Sequence, residues 1–552
     1  MKNAISIKSL FAVTAAITLS AGCAPNKELG TTTEAVLYRV ETLVPGGPMH
    51  GAKGMTFGPD GMLYVGSVLS QSIYRVDVAT GDVESAVGPP DGEADDIAFA
   101  PDGTMAWTAT PSGEIRALRT DGTVFVVASG VPLINPLGFT SDGRLFAAQI
   151  GFDRLHEFDF TGKNAPRLVA KGIGHLNSFE ITADDALYGP LSGIGQLARI
   201  DVDTGAVSPI VEDLGMLSAV NLDSNGQIYA VDWSDGNLWR VDPDSGAAEL
   251  VAKLEPSLDN LAIGPDDAIY VSQPARSAII SIDPASGVQR DVVPGSMSLP
   301  GGLAVTVNQG RETLVVADDY AYRWVDTENG SLSTTVKLGD FTYPGSATDV
   351  ALNDGVLVFT DVVRSRVFMV DRDSYKTVHK WKDIEAPYGV LLTDNGEPIV
   401  ADFASGQIIR LSTLDKKSRE IVASELSGPV GIAWASPDAL YVTEALAGRV
   451  QRINLNDDSK RIISDGLNQP EGLAILADGR LVVVEVGAQR VIAVDPETGA
   501  IEVLATDLPV GQFVPHTPAP VHVPSGITLG ENGVLYVTSD RAHSIMRLVP
   551  DS

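Results

Sequence analysis

The sequence predicts an all-β fold, two tandem six-bladed β-propellers, on three observations. A short turn motif, Asp-Gly or a close variant, recurs twelve times along the 552 residues. Neighbouring copies are 40 to 45 residues apart, and only the last follows a longer gap of 54. Each copy lies between two short apolar or β-branched runs, which is the pattern of a β-hairpin.

The repeat length indicates the architecture. Repeats of about 40 to 45 residues with four strands each are typical of propeller blades, and a propeller usually has about 4 to 8 blades. Twelve copies therefore divide most naturally into two rings, residues 36–296 and 297–552. One larger ring is the alternative.

Each unit is predicted to form four short strands. In the first unit these are the runs GMTF, MLYVG, SIYRVDVATG and VESAVG. The turn motifs are Asp60-Gly61, Asp102-Gly103, Asp142-Gly143, Asp184-Asp185, Asn225-Gly226, Asp266-Asp267, Gln309-Gly310, Asp354-Gly355, Asn395-Gly396, Asp438-Ala439, Asp478-Gly479 and Asn532-Gly533.

The two ends of the chain complement each other. The last unit stops after SIMRLVPDS without a fourth strand, and the run AVLYRVETLV at residues 35–44 precedes the first unit as a strand without a partner. Pairing the two would leave no exposed sheet edge. We therefore expect the N-terminal strand to close the second ring.

The first 22 residues are predicted to be a secretory signal peptide. Lys2 and Lys8 are followed by an apolar run, residues 10–19, that is too short to span a bilayer. Cys23, the only cysteine, follows three small residues and resembles the cysteine of a bacterial lipobox. That resemblance implies export and lipid attachment at Cys23, in the periplasm or at the outer membrane, with residues 23–35 as a polar tether. An ordinary signal peptide with a spare thiol is the alternative.

Composition excludes several classes of partner and site. The chain has 39 basic and 71 acidic residues and a formal net charge of −32, which argues against a nucleic-acid partner. With one cysteine, disulfides within the chain and thiolate metal sites are excluded. His516 and His522, in a proline-rich stretch near the C-terminus, are expected to be solvated loop residues, with metal binding as the alternative.

A ring of oxygen-bearing residues is predicted in the first propeller. The first strand of each blade lines the central channel, so the residues at its start surround one axis. Aligned on the turn motif, these residues are Lys53, Asp95, Asn135, Asn177, Ser218 and Asp259 in the first half. In the second half they are Gly301, Thr348, Tyr388, Val430, Glu471 and Ser525. The oxygens of the first set suit a hard cation such as Ca²⁺ or another divalent ion.

The phrases that carry these residues resemble those of a known family. ADDIAFAPDG, NPLGFTSDG and DNLAIGPDD, at residues 94–103, 135–143 and 259–267, are similar to phrases of the gluconolactonase and regucalcin-like (SMP-30) propellers. The resemblance implies a catalytic divalent ion held by Asn135, Asn177 and Asp259, with Asp95 in range. His175, two residues before Asn177, is then expected at the channel mouth as a proton-transfer group, and Asp95 is the other candidate for that role.

One residue departs from the family pattern. The first-blade glutamate of the family corresponds to Lys53, in the phrase AKGM. A lysine there would repel a cation or would pair with Asp95 or Asp259, and such pairing would leave no place for a metal.

The second half resembles the NHL repeat. An acidic residue follows the second strand of each unit, and in that repeat such an acid holds a turn through backbone hydrogen bonds. These residues are Asp318, Asp361, Asp402, Glu444, Glu485 and Asp540. In the first half only Asp232 keeps the acid, and Gln149 and Gln273 replace it elsewhere.

The sequence thus predicts an envelope-anchored, divalent-metal-dependent hydrolase of lactones or related esters, with the second ring as a stabilising or docking module for a protein partner. The metal would polarise the carbonyl and activate water. The alternative is a non-catalytic scaffold that binds a protein, peptide or glycan, and Lys53 favours it. A lyase resembling the virginiamycin-opening propeller would need a His and Glu pair that the sequence does not locate.

Overall fold

The computed structural model describes residues 37–335, 346–415, 418–512 and 523–551. Within them the chain forms twelve antiparallel four-stranded sheets, which confirms the predicted fold class. Cys23, His516 and His522 lie outside the described residues. No helix in the described ranges is long and apolar enough to cross a membrane.

The strands follow each other in chain order. The N-terminal strand is β1 (Tyr38–Val44). The six sheets of the first ring are β2 (Met55–Phe57), β3 (Leu63–Ser67), β4 (Ser72–Val76), β5 (Val83–Val87); β6 (Asp96–Phe99), β7 (Met105–Ala109), β8 (Glu114–Leu118), β9 (Val124–Ala128); β10 (Ile134–Phe139), β11 (Leu145–Gln149), β12 (Arg154–Phe158), β13 (Arg167–Lys171); β14 (Glu180–Ile181), β15 (Leu187–Leu191), β16 (Gln196–Ile200), β17 (Val207–Glu212); β18 (Leu217–Leu222), β19 (Ile228–Asp232), β20 (Asn237–Val241), β21 (Ala248–Lys253); and β22 (Leu261–Ile263), β23 (Ile269–Gln273), β24 (Ala278–Ile282), β25 (Gln289–Val293).

The second ring continues in the same way. Its sheets are β26 (Pro300–Asn308), β27 (Arg311–Asp318), β28 (Ala321–Asp326), β29 (Leu332–Thr335); β30 (Ala347–Leu352), β31 (Val356–Asp361), β32 (Arg366–Asp371), β33 (Thr377–Lys382); β34 (Pro387–Leu392), β35 (Pro398–Asp402), β36 (Gln407–Leu411), β37 (Arg419–Ala423); β38 (Pro429–Ser436), β39 (Ala439–Glu444), β40 (Arg449–Asn454), β41 (Lys460–Asp465); β42 (Pro470–Ile475), β43 (Leu481–Glu485), β44 (Arg490–Val494), β45 (Ile501–Ala505); and β46 (Ile527–Leu529), β47 (Leu535–Ser539), β48 (Ser544–Pro550) with β1. Four 3-10 turns are Ile150–Phe152, Pro274–Arg276, Val486–Ala488 and Glu531–Gly533.

Both rings close on themselves. The inner strand of each sheet contacts those of its neighbours, and β2 meets β22 just as β26 meets β46. Apolar side chains seal the first closure, where Met55 and Leu63 pack with Tyr270 and Ile279. The two tandem six-bladed rings are therefore as predicted from the repeat spacing.

The N-terminal strand completes the second ring, as expected from the two chain ends. β1 pairs antiparallel with β48, from Tyr38 opposite Pro550 to Val44 opposite Ile545. Leu43 and Val44 are buried against the sheets beside them. The chain then crosses into the first ring and returns to the second only at β26.

The two rings contact each other on the sides where their inner strands begin. Arg323 of the second ring, 1% exposed, donates a hydrogen bond to the carbonyl of Ala275 in the first. The imidazole rings of His50 and His543 stack with centroids 3.6 Å apart. Tyr320 of the second ring meets Trp233 of the first edge-on at 6.1 Å.

Candidate functional site

The mouth of the first ring holds a lysine between two aspartates. Lys53 Nζ lies 3.5 Å from Asp259 Oδ1 and 3.9 Å from Asp95 Oδ1. Each of these residues lies one or two positions before an inner strand. Its backbone N–H group donates a hydrogen bond to the second strand of the same sheet. The three side chains are 11 to 20% exposed. This is the pairing that the sequence left open as the alternative to a metal.

Two aromatic rings cover this ion pair. Lys53 Nζ lies 5.1 Å from the ring centroid of Tyr320 and 5.7 Å from that of Trp233. Tyr320 comes from the loop between β27 and β28, so the second ring reaches over the mouth of the first. Cations are attracted to aromatic faces at such distances, and the effect grows when water is excluded.

The charged groups at the mouth of the first ring change each other's pKa. Burial raises the pKa of Asp259 to about 6, against the lowering effect of Lys53, and Asp95 adds to the rise. Burial by itself would lower the pKa of Lys53, but Asp259, Tyr320 and Asp95 together raise it well above its ordinary value. Lys53 is therefore a fixed positive charge at neutral pH.

The donors at this mouth do not fit a divalent ion. The ammonium of Lys53 lies within 4 Å of both carboxylates and repels a second cation. Among the described residues there is also no group of three or more His, Cys, Asp or Glu that could hold a metal. The calcium site predicted from the sequence stays a prediction, and the lysine that departs from the family pattern is the observation against it.

The other predicted site residues are Asn135, Asn177 and His175. Asn135 is the second residue of β10, and Asn177 lies in the loop before β14, where its backbone N–H bonds to Pro190. In the described ranges, no hydrogen bond joins the side chain of either asparagine to Asp95 or Asp259. His175 Nδ1 lies 2.8 Å from the carbonyl of Ile150, which fixes its imidazole against the preceding blade.

Polar side chains fill the first channel one residue further along. Asp96 accepts a hydrogen bond from the backbone N–H of Leu137 in the next sheet and contacts Asn260 Nδ2 at 3.3 Å. Asn260 Nδ2 also donates to Ser178 Oγ at 2.8 Å. Burial raises the pKa of Asp96 well above its ordinary value. Asp96, Ser178 and Asn260 each follow one of the aligned ring positions by one residue, so the predicted site did not include this network.

The second ring contains a cavity of about 450 Å³ along its axis. All six inner strands line it, from the level of Asp349 to the half-buried indole of Trp434 near the strand ends. At the level of Asp349 the other five strands carry Gly302, Gly389, Gly431, Gly472 and Gly526. No side chain other than that of Asp349 therefore fills the channel at this level.

Close packing of the inner strands requires these glycines. A Cβ on Gly389 would come within 2.2 Å of the Val430 carbonyl oxygen, and one on Gly431 within 2.4 Å of that of Glu471. The sequence carries a signal for this arrangement. Pro-x-Gly stands at or just before the start of five inner strands of the second ring, at residues 300–302, 387–389, 429–431, 470–472 and 524–526, and the first ring has no equivalent set.

The end of the cavity that faces the first ring is closed. The residues one place before the glycine level are all buried, at 3% exposure or less: Thr348, Tyr388, Val430, Glu471 and Ser525. The backbone N–H of Ser525 donates to Glu471 Oε2 at 2.8 Å, which ties the last two blades together here. The cavity therefore extends toward the far ends of the inner strands, away from the first ring.

Asp349 is the charged residue of this cavity. Its two carboxylate oxygens accept backbone N–H bonds from Val350 at 2.8 Å and from Val390, in the next sheet, at 2.9 Å. Burial raises its pKa to about 7 even though both bonds lower it. Asp349 occupies the place that Asp96 has in the first ring.

The acids after the second strands have the structural role that the NHL resemblance implies. All six are at most 2% exposed, and they accept backbone N–H bonds from the loops of their blades. Asp318, for example, accepts bonds from Ser298 and Leu299 and pairs with Arg323. In the first ring, Gln149 instead donates through Nε2 to a loop carbonyl.

No protein-family model and no curated protein sequence matches the chain. Among solved structures, a streptogramin B lyase is 16% identical and covers 54% of this chain and 98% of its own, with a TM-score of 0.38. Virginiamycin B lyase from Staphylococcus aureus is 14% identical, with the same coverages and a TM-score of 0.37. The BT4673 extracellular domain from B. thetaiotaomicron is 11% identical over 92% of this chain and 82% of its own, with a TM-score of 0.33. At these values the likenesses say nothing about the chemistry of either ring.

Proposed function

We propose that this protein is a binding protein whose small organic ligand enters the cavity of the second ring. The observation that carries the proposal is the cavity itself. Its volume of about 450 Å³ lies within the range of about 300 to 1,000 Å³ that ligand pockets occupy. Its walls combine apolar side chains with polar groups, it is closed at one end, and it holds one carboxylate, a mixture that suits a selective site.

The first ring supports this choice. Metal-dependent hydrolysis of lactones or esters, predicted from the sequence, needs a divalent ion where the structure has the ammonium of Lys53. Tyr320 and Trp233 cover the same place. We therefore propose no metal-dependent catalysis at the mouth of the first ring.

A second function is favoured by one observation. The pKa of Asp259, about 6, lies near the working pH that suits a general base, and Lys53 beside it could stabilise an oxyanion. Such a site would hydrolyse lactones or esters in the presence of a chelator. Loss of turnover in Asp259→Asn, with full turnover in Asp266→Asn on an exposed turn, would establish it, and absence of turnover in the wild type excludes it.

The place of action is proposed from the N-terminal segment. Residues 1–35 contain the predicted signal peptide and the lipobox-like Cys23, and they lie outside the described residues. We propose that the protein is exported and held at the cell envelope by a lipid on Cys23. Mass spectrometry of the purified protein should find acyl chains on an N-terminal Cys23.

The binding proposal is tested by filling the cavity. Hexanol, hexylammonium and hexanoate serve as probes, and saturation-transfer NMR measures their binding to the purified protein. Thr528 lines the cavity, so Thr528→Phe should abolish binding of whichever probe binds. Thr56 has the equivalent place in the first ring, as the middle residue of β2 opposite Tyr64, just as Thr528 is the middle residue of β46 opposite Tyr536. Binding that survives Thr528→Phe, or is lost equally in Thr56→Phe, contradicts the proposal.

A further inference from the structure

Among the described residues, the carboxylate of Asp349 has no positive partner. It accepts two hydrogen bonds from backbone N–H groups and takes part in no ion pair within these ranges. A carboxylate out of water without a counter-charge is costly, and burial accordingly raises its pKa to about 7. A cation in the cavity would remove that cost.

The equivalent residue in the first ring shows what is different here. Asp96 makes the same bond to the next inner strand, but Asn260 and Ser178 also fill its channel and form a hydrogen-bonded network. In the second ring glycines stand at the places of both, Gly431 for Ser178 and Gly526 for Asn260, whereas Gly302 beside Asp349 has a counterpart in Gly54 beside Asp96. Asp349 is therefore left facing open space where Asp96 is enclosed by protein.

Apolar side chains supply part of the cavity wall, beside backbone polar groups, Ser525 and Thr528. Leu303, Leu391, Ile432 and Trp434 line it together with alanines. Trp434 is fixed by a hydrogen bond from Nε1 to the Leu392 carbonyl at 3.2 Å. The formal charge of −32 adds a long-range attraction for cations.

We infer that the ligand of the second-ring cavity is an organic ammonium ion with an apolar body, whose charged end binds Asp349. This inference rests on the proposed binding function and narrows it to one class of ligand. The ammonium donates to the free lone pairs of the carboxylate, and the hydrocarbon part displaces water from the apolar wall.

The three hexyl probes separate the two proposals. Hexylammonium should bind at least about tenfold more tightly than hexanol, a difference of about 1.4 kcal/mol, and hexanoate should not bind. Asp349→Asn should remove this preference while hexanol binding persists. Asp96→Asn, the same substitution at the matching place of the first ring, should keep it.

Each other outcome has one meaning. Equal binding of hexanol and hexylammonium leaves the binding function standing and overturns the ammonium inference. Failure of all three probes overturns both. A preference that survives Asp349→Asn also overturns the inference.

A second measurement uses only the wild-type protein, so its result does not depend on whether a variant folds. The crystal structure of the wild-type protein with 6-bromohexylammonium should place the bromine, by anomalous scattering, toward the outer end of the cavity. The nitrogen should then lie within hydrogen-bonding distance of Asp349. A bromine found at the mouth of the first ring, or anywhere outside the second-ring cavity, contradicts the inference.

Discussion

The ammonium of Lys53 lies 3.5 Å from the carboxylate of Asp259, in the ring of residues where oxygen ligands of a divalent ion were expected. One positive side chain thus occupies the place of a metal. This side chain lies beside two carboxylates and two aromatic rings, one of them from the other propeller.

Replacing this lysine should change the metal affinity of the first ring. In Lys53→Glu the repelling charge is gone and a third carboxylate joins Asp95 and Asp259, so we expect Ca²⁺ to raise the melting temperature. Lys53→Gln removes the charge without adding a ligand and serves as the matched control. Calcium titration followed by calorimetry measures the effect. Stoichiometric calcium in the wild type, lost in Asp259→Ala, would instead restore the metal site predicted from the sequence.

The buried pair of Asp318 and Arg323 should be important for stability. Asp318 is fully buried and also accepts two backbone N–H bonds, so Asp318→Asn removes the buried carboxylate that pairs with Arg323. We expect a loss of about 3 to 5 kcal/mol in the free energy of unfolding. Denaturant titration of this variant, compared with Asp394→Asn on an exposed turn, measures it. A loss no larger than that of the control would contradict the structural role given to these acids.

The stacked histidines should make the protein less stable in acid. Burial lowers the pKa of His50 to about 4 and that of His543 well below its ordinary value. Unfolding restores both to about 6.5, so the unfolded chain binds protons first and stability falls as the pH drops from about 6.5 toward 4. His50 alone should contribute a loss of about 2 kcal/mol between pH 7.5 and 5.

Variants isolate this contribution from the other titrating groups. His50→Phe combined with His543→Phe keeps an aromatic stack but binds no proton. Its melting temperature should fall less than that of the wild type over the same pH range. An unchanged pH dependence would show that the histidine pair does not govern the acid response.

The five glycines at the level of Asp349 in the second ring should not tolerate a side chain. In Gly389→Ala the new Cβ would lie 2.2 Å from a backbone oxygen of the adjacent strand, which neither strand can avoid without moving. We expect at least about 2 kcal/mol of destabilisation. Gly355→Ala, whose Cβ would have no neighbour closer than 3.8 Å, should be neutral or slightly stabilising. Thermal unfolding of the two variants side by side decides this, and equal melting temperatures would be inconsistent with the packing described.

The fold could be predicted because its determinants are local. Each Asp-Gly or related turn selects a hairpin within about ten residues, and repetition at a fixed period then implies a ring. Even the closure by β1 followed from two incomplete ends. Lys53 could be singled out for the same reason, since its departure from the pattern is visible in one phrase.

The site could be predicted only in part because its geometry is not local. Tyr320 reaches Lys53 from the other ring, and no pattern near either residue indicates that contact. The cavity around Asp349 depends on the absence of side chains at one position in five distant strands. The Pro-x-Gly phrases indicate these glycines, but a pattern of metal ligands does not include them. Asn135 and Asn177 have the residue type and ring position that a metal site would use, and their role as ligands stays a prediction.

The position of β1 also bears on how the chain is made. The strand next to β48 is synthesised roughly 500 residues before its partner, so a nascent chain exposes this edge throughout elongation. The first ring needs nothing from β1 and can form as soon as β25 has emerged, as an insertion within the other ring. The second ring cannot be completed until the last residues are released. Folding order is therefore built into the topology, and truncation at the C-terminus should harm the second ring far more than the first.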